Sequence, residues 1–483
     1  MLFNTFYKMH RIKGLALLGA ILLFASCKQK ESQAFDPWKQ MTQIVDSITL
    51  PTFRADTLNI LDFGAVADGV FDNTDVFRKV MDTCSKAGGG TVLVPKGRFL
   101  TGPIHLENNV NLHLEEGSEI MFSKNLDDYY PLVHTSYEGT ELMNFSPLIY
   151  AYKKKNIAVT GKGVLNGRAG NDFWWPWCGK DSYGWQEGAP KQHSSLKKLK
   201  EEMSEVDVPV NQRIFGKGEF LRPTFIEPFS CENVLIQGVK IINAPFWVIH
   251  PIKSVNVTVD GVVVESHGPN NDGCDPEYSK NVLIKNAVFN TGDDCIAIKS
   301  GRNEDGRRVG IKSENIVVQN CKMIDGHGGV VIGSEVSAGV RNVFVENCTM
   351  DSPNLERAIR IKTNSKRGGV IENVYVRNLK VGQVREAVLK INLFYGIYGI
   401  QKGDFIPEVR NIHLENVQVK NGGKYGILAK GYAQLPITDI TLKDVLIEKV
   451  DAAYSLENVT NLNFINTRIN GKIMQTKSNS LEH

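Results

Sequence analysis

Neither sign of charge dominates this sequence: 56 Lys and Arg stand against 53 Asp and Glu, a net charge of +3 over 483 residues. That near-balance gives no whole-molecule case for nucleic acid or a membrane surface as partner. Cysteine is sparse, eight in all, and no pair has the CxxC spacing of a zinc site. With Cys27 set apart, seven remain, and an odd number cannot pair completely. Beyond the N-terminus no apolar run is long enough to span a bilayer.

The N-terminus does carry such a run, but a short one. Lys8, Arg11 and Lys13 precede GLALLGAILLFASC, a charged then apolar then small-residue order that reads as a secretory signal over 1–27. The ending LFASC resembles a bacterial lipoprotein box, with Phe24 where Leu is usual and Cys27 as the lipidated residue. The alternative is an ordinary signal peptide that contains a cysteine. The expectation is an exported chain, lipid-anchored to the outer membrane through Cys27. No acidic run follows Cys27, so the periplasmic face is preferred to the cell surface. Residues 28–56 read as a tether with a short helix near Pro37 to Ser47, and 476–483 as a tail whose Leu481-Glu482-His483 is set aside as a candidate cloning remnant.

One phrase recurs through the rest. It starts with Asn and continues with alternating aliphatics: NVLIQGVKI from Asn233, then copies from Asn256, Asn281, Asn315, Asn342, Asn373 and Asn411. The starts lie 23, 25, 34, 27, 31 and 38 residues apart, with weaker copies from Asn109 and Asn156. Each copy is a short β-branched run of period two, and no helical pattern separates most of them. Short strands at that period mean a solenoid in which each coil pairs with its neighbours. The fold class is therefore all-β, a single-stranded right-handed parallel β-helix over 57–475. Cys274, Cys295, Cys321 and Cys348 recur at 21, 26 and 27 residues, as small buried positions in successive coils. A helix-bearing segment from Phe63 would cap the N-terminal end. A stretch of about 168–222, rich in Trp and then charged, interrupts the coils as an insertion.

The chemistry-bearing residues also recur at coil spacing. Asp272 and Asp275 stand in PNNDGCD, Asp293 and Asp294 in TGDDC, His327 in DGHGG, and Arg360 and Lys362 in ERAIRIKT. Asp272 to Asp293 is 21 residues; Asp294 to His327 and His327 to Arg360 are 33 each. Strands of adjacent coils lie about 4.8 Å apart, so such residues can meet on one face. Crowded acids split their pKa values, which suits a reaction that needs one protonated carboxyl and one carboxylate. Neighbouring cations suit a substrate carrying carboxylates.

In this order the motifs resemble those of glycoside hydrolase family 28, the polygalacturonase-like pectin hydrolases, bacterial exo-acting type. The signatures are Asn270-Asn271-Asp272, Gly292-Asp293-Asp294, Gly326-His327-Gly328 and Arg360-Ile361-Lys362, with Asn271 where Thr is commonest. The likeness runs from about Ile60 to Val450. It implies Asp293 as general acid, Asp272 and Asp294 as activators of water with inversion, and His327 as support for the acid. It also implies Arg360, Lys362 and Asn270 on the sugar, with Lys299 and Arg302 as a basic loop toward the uronate chain. No metal or cofactor is implied; the partner is an acidic polysaccharide such as pectin-derived oligogalacturonides. Carboxylates on touching coils do not easily meet the wider separation of ordinary inverting enzymes.

Taken singly, these residues have plainer readings. Asp275 reads as a structural turn residue. Trp174, Trp175, Trp177 and Trp185 read as packing for the insertion rather than sugar platforms. Trp247 and His250 stay open between cleft and core, and Lys299 and Arg302 between substrate contact and solvated loop. A rhamnogalacturonan hydrolase or rhamnosidase of the same family, a pectate lyase and a non-catalytic sugar-binding β-helix are the competing functions. Arg360 with Lys362 favours galacturonic acid, and an insertion that blocks one end of the cleft favours release from a chain end.

Overall fold

The computed structural model describes residues 35–396 and 402–480. The signal segment, Cys27 and Leu481-Glu482-His483 lie outside the described residues. The chain divides into two units, Met1–Pro37 and Trp38–His483, and the architecture below is that of the second. It is a parallel β-helix. Its longest sheet runs from Thr57–Asn59 to the C-terminal strands, with in-register parallel pairs such as Val257 on Val282, Val282 on Ile316 and Ile316 on Val343. A second wall stacks Ile296–Ile298, Val330–Gly333, Arg357–Lys362, Ala387–Asn392, Tyr425–Lys430 and Ala452–Glu457.

The recurrent Asn explains itself. Asn233, Asn256, Asn281, Asn315, Asn342, Asn373 and Asn411 all have φ between 56° and 61°. Asn is among the few residues that adopt this left-handed turn without large strain. Each side-chain amide donates to the Asn one coil earlier: Asn256 to Asn233 at 3.0 Å, Asn315 to Asn281 at 3.0 Å, Asn342 to Asn315 at 3.0 Å. One residue type thus sets the turn and satisfies the half-buried amides of a whole ladder.

Inside, period-two aliphatics fill a continuous core in which Cys274, Cys295, Cys321 and Cys348 are buried free thiols. The amphipathic helix Thr74–Lys86 closes the N-terminal end with Phe77, Val80, Met81 and Cys84 on that core. The helix Pro37–Ser47 lies on the outer face instead, where Met41 and Ile44 pack on Leu283, Val317, Phe344 and Tyr375. No helix among the described residues is long and apolar enough to cross a membrane.

Candidate active site

The second wall decides which motif residues meet. Cys274 pairs with Ile296, so Asp272 and Asp294, each two residues earlier, hold equivalent places in adjacent coils. Ile296 pairs with Val330, so Asp293 and His327, each three residues earlier, do the same. Gly326 makes that possible: its φ is 157°, and a Cβ there would lie 2.6 Å from the Asp293 carbonyl. Within the strands, Ile296, Ile298, Ile359 and Ile361 are core residues, and the alternate positions face outward. Asp275, Ala297, Val331 and Arg360 form one outward column; Glu277, Lys299, Gly333 and Lys362 form the next.

The outcome is a compact cluster. Asp272, Asp293 and Asp294 each bring a carboxylate oxygen within 4.8 Å of the other two. Two oxygens that share one water at 2.7–2.8 Å stand roughly 4.5 Å apart, so the trio has the spacing to hold a single water. A hard cation could bridge the same oxygens, but the cluster already carries positive charge from the protein. Lys362 Nζ lies 2.6 Å from Asp294, Arg360 lies 3.6 Å from it, and Lys299 Nζ lies 3.7 Å from Asp272. His327 Nδ1 is 2.9 Å from Asp293 Oδ1, and Arg357 donates to the His327 carbonyl at 3.0 Å.

These contacts separate the acids electrostatically. Burial lifts Asp272 well above the ordinary carboxylate range, and repulsion from Asp275 and Asp293 adds to it. Burial also pushes Asp293 up, but the hydrogen bond and charge of His327, with Lys362 and Lys299, outweigh it and hold Asp293 low. The same hydrogen bond and charge raise His327. The protein's own charges therefore favour the protonated form of Asp272 and the ionised form of Asp293 beside a protonated His327. Asp293, which the motif resemblance marks as the acid, thus lies 2.9 Å from the imidazole whose pKa it raises.

A cleft of about 410 Å³ is lined by Asp272, Asp293, Lys299, His327, Arg360, Lys362 and Asn270. Asn270 also accepts a hydrogen bond from Arg222 at 2.9 Å. Asp294 sits behind this surface, fully buried. Arg302 is not on the cleft but lines an adjoining cavity. Asp275 is not a turn residue as expected: it is fully buried, with Lys299 3.5 Å away, and burial raises its carboxyl to about 7 against the pull of Lys299 and His250. His250 is interior, 2.9 Å from Glu277 and 3.6 Å from Glu227, whereas Trp247 lines the cleft and lies over Lys299 at 4.3 Å. Trp174 is buried against Tyr129, Phe145 and Trp177, and Trp175 donates to the Ala244 carbonyl, so both pack the insertion.

Sequence reasoning missed Tyr395, which lies under Arg360 and Lys362 at 5.4 and 5.3 Å. It also missed Glu335, buried among Lys299, Arg302 and Arg367 at 3.5–3.8 Å. Burial pushes the Glu335 carboxyl up, and these three cations more than reverse that. Neither residue belongs to a repeat or a motif; an aromatic after KINLF was the one available signal for Tyr395.

Residues 216–468 match the family model described as glycosyl hydrolases family 28. Among solved structures, a hyperthermoactive exopolygalacturonase from Thermotoga maritima is 44% identical with a TM-score of 0.88, covering 91% of this chain and 98% of that one. A probable polygalacturonase of Vitis vinifera is 27% identical over 82% of this chain and 74% of its own length. An exo-poly-alpha-D-galacturonosidase of Dickeya chrysanthemi is also 27% identical, over 72% of this chain and 58% of its own length.

Proposed function

The chain belongs to glycosyl hydrolases family 28, and from that premise we propose that it hydrolyses the α-1,4 bonds of polygalacturonate from a chain end, with inversion. It is a glycoside hydrolase; the substrate, end preference and stereochemistry are this reading. One observation carries it: three carboxylates within 4.8 Å, coupled to one histidine and faced by Lys299, Arg360 and Lys362. That arrangement supplies an acid, a water site and counter-charge for a uronate.

The steps follow from the electrostatics. A uronate carboxylate that pairs with Arg360 and Lys362 cancels positive charge that holds Asp293 low. Asp293 then gains proton affinity and takes the His327 proton across their 2.9 Å contact. Asp293 gives that proton to the glycosidic oxygen as the bond to the anomeric carbon breaks. The water between Asp272 and Asp294 attacks that carbon and passes its proton to Asp294, whose negative charge Lys362 and Arg360 compensate. The close carboxylate spacing favours a water held by two acids over the 6.5–9.5 Å arrangement common among inverting enzymes.

Polygalacturonate digestion with reducing-end assay tests this. Release of galacturonate that Asp293→Asn abolishes supports it. Inert polygalacturonate beside cleaved rhamnogalacturonan moves the substrate within the family; no cleavage of either favours a binding role. The reading includes export and a lipid anchor at Cys27, which rests on the LFASC segment. Labelled palmitate incorporation that survives Cys27→Ser would refute the anchor.

A further inference from the structure

The histidine beside the acid has little of its own to hold it in place. His327 stands in the loop 326–329, Gly-His-Gly-Gly, and its side chain is 48% exposed. Glycines free the backbone on both sides, and with that exposure packing alone does not fix the ring. Yet Nδ1 meets Asp293 Oδ1 at 2.9 Å.

The restraint comes from the neighbouring coils. On one side, the His327 N–H donates to the Asp293 carbonyl at 3.0 Å. On the other, the Glu356 N–H donates to the Gly326 carbonyl at 3.0 Å, and the Gly329 N–H donates to the Arg357 carbonyl at 2.9 Å. Between these two, Arg357 Nη1 donates to the His327 carbonyl at 3.0 Å. Of the four ties only the guanidinium belongs to a side chain, so it is the one that substitution removes. It is seated between two carboxylates, Glu356 beside it and Glu386 one coil on, and its side chain is 13% exposed. Two such partners hold a planar fork at a fixed angle, which a lysine does not reproduce.

We propose that Arg357 is a positioning residue of the reaction: its guanidinium clamps the loop 326–329 so that the His327 ring stays on Asp293. This rests on the reading above, in which His327 supplies a proton to Asp293, and adds the group that keeps the transfer aligned. Arg357 also lines the cleft, so the rival roles are a direct contact with the substrate's carboxylate and a plain charge effect on the imidazole.

The roles differ in sign. Asp293 and Asp294 face His327 from the coil before, and Glu356 with Arg357 from the coil after. Asp325 stands on the same loop as His327, 3.6 Å from His267, and Arg360 and Lys362 are turned to Asp294. The hydrogen bond and charge of Asp293 do most to raise the imidazole. If Arg357 acted by charge, its loss would take away a cation, leave Glu356 to Arg385 and raise His327 further. If it positions the ring, its loss loosens the Asp293 contact, and His327 falls back toward the ordinary imidazole value.

The test is the pH dependence of kcat and kcat/KM for the wild type, Arg357→Met and Arg357→Lys, on polygalacturonate, or on rhamnogalacturonan if only that is cut. The position of a limb does not depend on the folded fraction, so a partly unfolded variant still reports. Arg357→Met is expected to lower kcat by up to roughly a hundredfold, the cost of a misplaced catalytic group, with KM nearly unchanged. Its alkaline limb is expected to move to lower pH. Arg357→Lys, with one donor and the charge kept, is expected to fall between Arg357→Met and the wild type. An alkaline limb that stays or rises in Arg357→Met, or a KM that rises while kcat holds, overturns the positioning role and leaves the hydrolase reading intact. A wild type that cleaves neither polysaccharide overturns that reading, and this role with it.

Discussion

His327 Nδ1 and Asp293 Oδ1 are 2.9 Å apart because the two residues occupy the same place in successive coils of one wall. The pair is thus a product of coil register. Its partners shift in opposite senses, His327 up and Asp293 down, so the pair keeps its proton on the imidazole to higher pH than a lone histidine would.

This sets the alkaline side of the pH profile. A raised imidazole keeps its proton above the usual value near 6.5, and activity that needs the proton falls as pH rises through the raised value. The alkaline limb of kcat/KM is expected above the ordinary imidazole range. His327→Gln is expected to remove that limb and lower kcat by roughly 10²-fold, within the span of general acid support. An unchanged limb in the variant would assign it to another group.

Asp294 is fully buried, with Lys362 at 2.6 Å. Lys362→Met leaves that carboxylate without its nearest counter-charge. A loss of about 3 kcal/mol in denaturant unfolding is expected, together with loss of activity. A variant as stable as wild type would show that the buried charge is compensated by Arg360 alone.

Asp275 predicts a stability that depends on pH. Its carboxyl titrates at about 7 in the native protein and near 3.9 when unfolded. Between those values the native state holds a proton that the unfolded chain releases, so its stabilising contribution is lost as pH rises from about 4 to 7. Asp275→Asn does not titrate. Its melting temperature should therefore gain on wild type as pH climbs from 4 to 8; a constant gap would contradict the shift.

The Asn ladder gives a test of the fold itself. Asn281→Ala puts a residue that tolerates a left-handed turn less well than Asn at φ 56°, and removes two rungs, the one from Asn315 at 3.0 Å and the one to Asn256 at 3.3 Å. A cost of roughly 1–3 kcal/mol in chemical unfolding is expected, and less for Asn281→Gly, which tolerates the turn.

A chelator gives a further test. Lys299, Arg360 and Lys362 already face the three carboxylates. EDTA treatment followed by dialysis is expected to leave the rate of polygalacturonate cleavage unchanged; loss restored by a divalent ion would place a metal among Asp272, Asp293 and Asp294.

The coils were legible because Asn marks a turn that few residues tolerate, and the acids because four short motifs keep their order. Their alignment was less so. Counting residues matched Asp272 with Asp293 and Asp294 with His327, whereas the strands match Asp272 with Asp294 and Asp293 with His327. Residue counts include loops, and the helix Asn303–Val309 sits inside one of them. Glu335 and Tyr395 were invisible for a related reason: loop placement depends on tertiary contacts that no local pattern encodes.

The most direct test follows the anomeric signal of sugar released from polygalacturonate by proton NMR in the first turnovers, for wild type and Asp293→Asn. The account predicts β-galacturonic acid from the α-linked substrate, appearing as the monomer from the outset and absent with the variant. Release of the α-anomer first, or an Asp293→Asn protein that works at the wild-type rate, would contradict it.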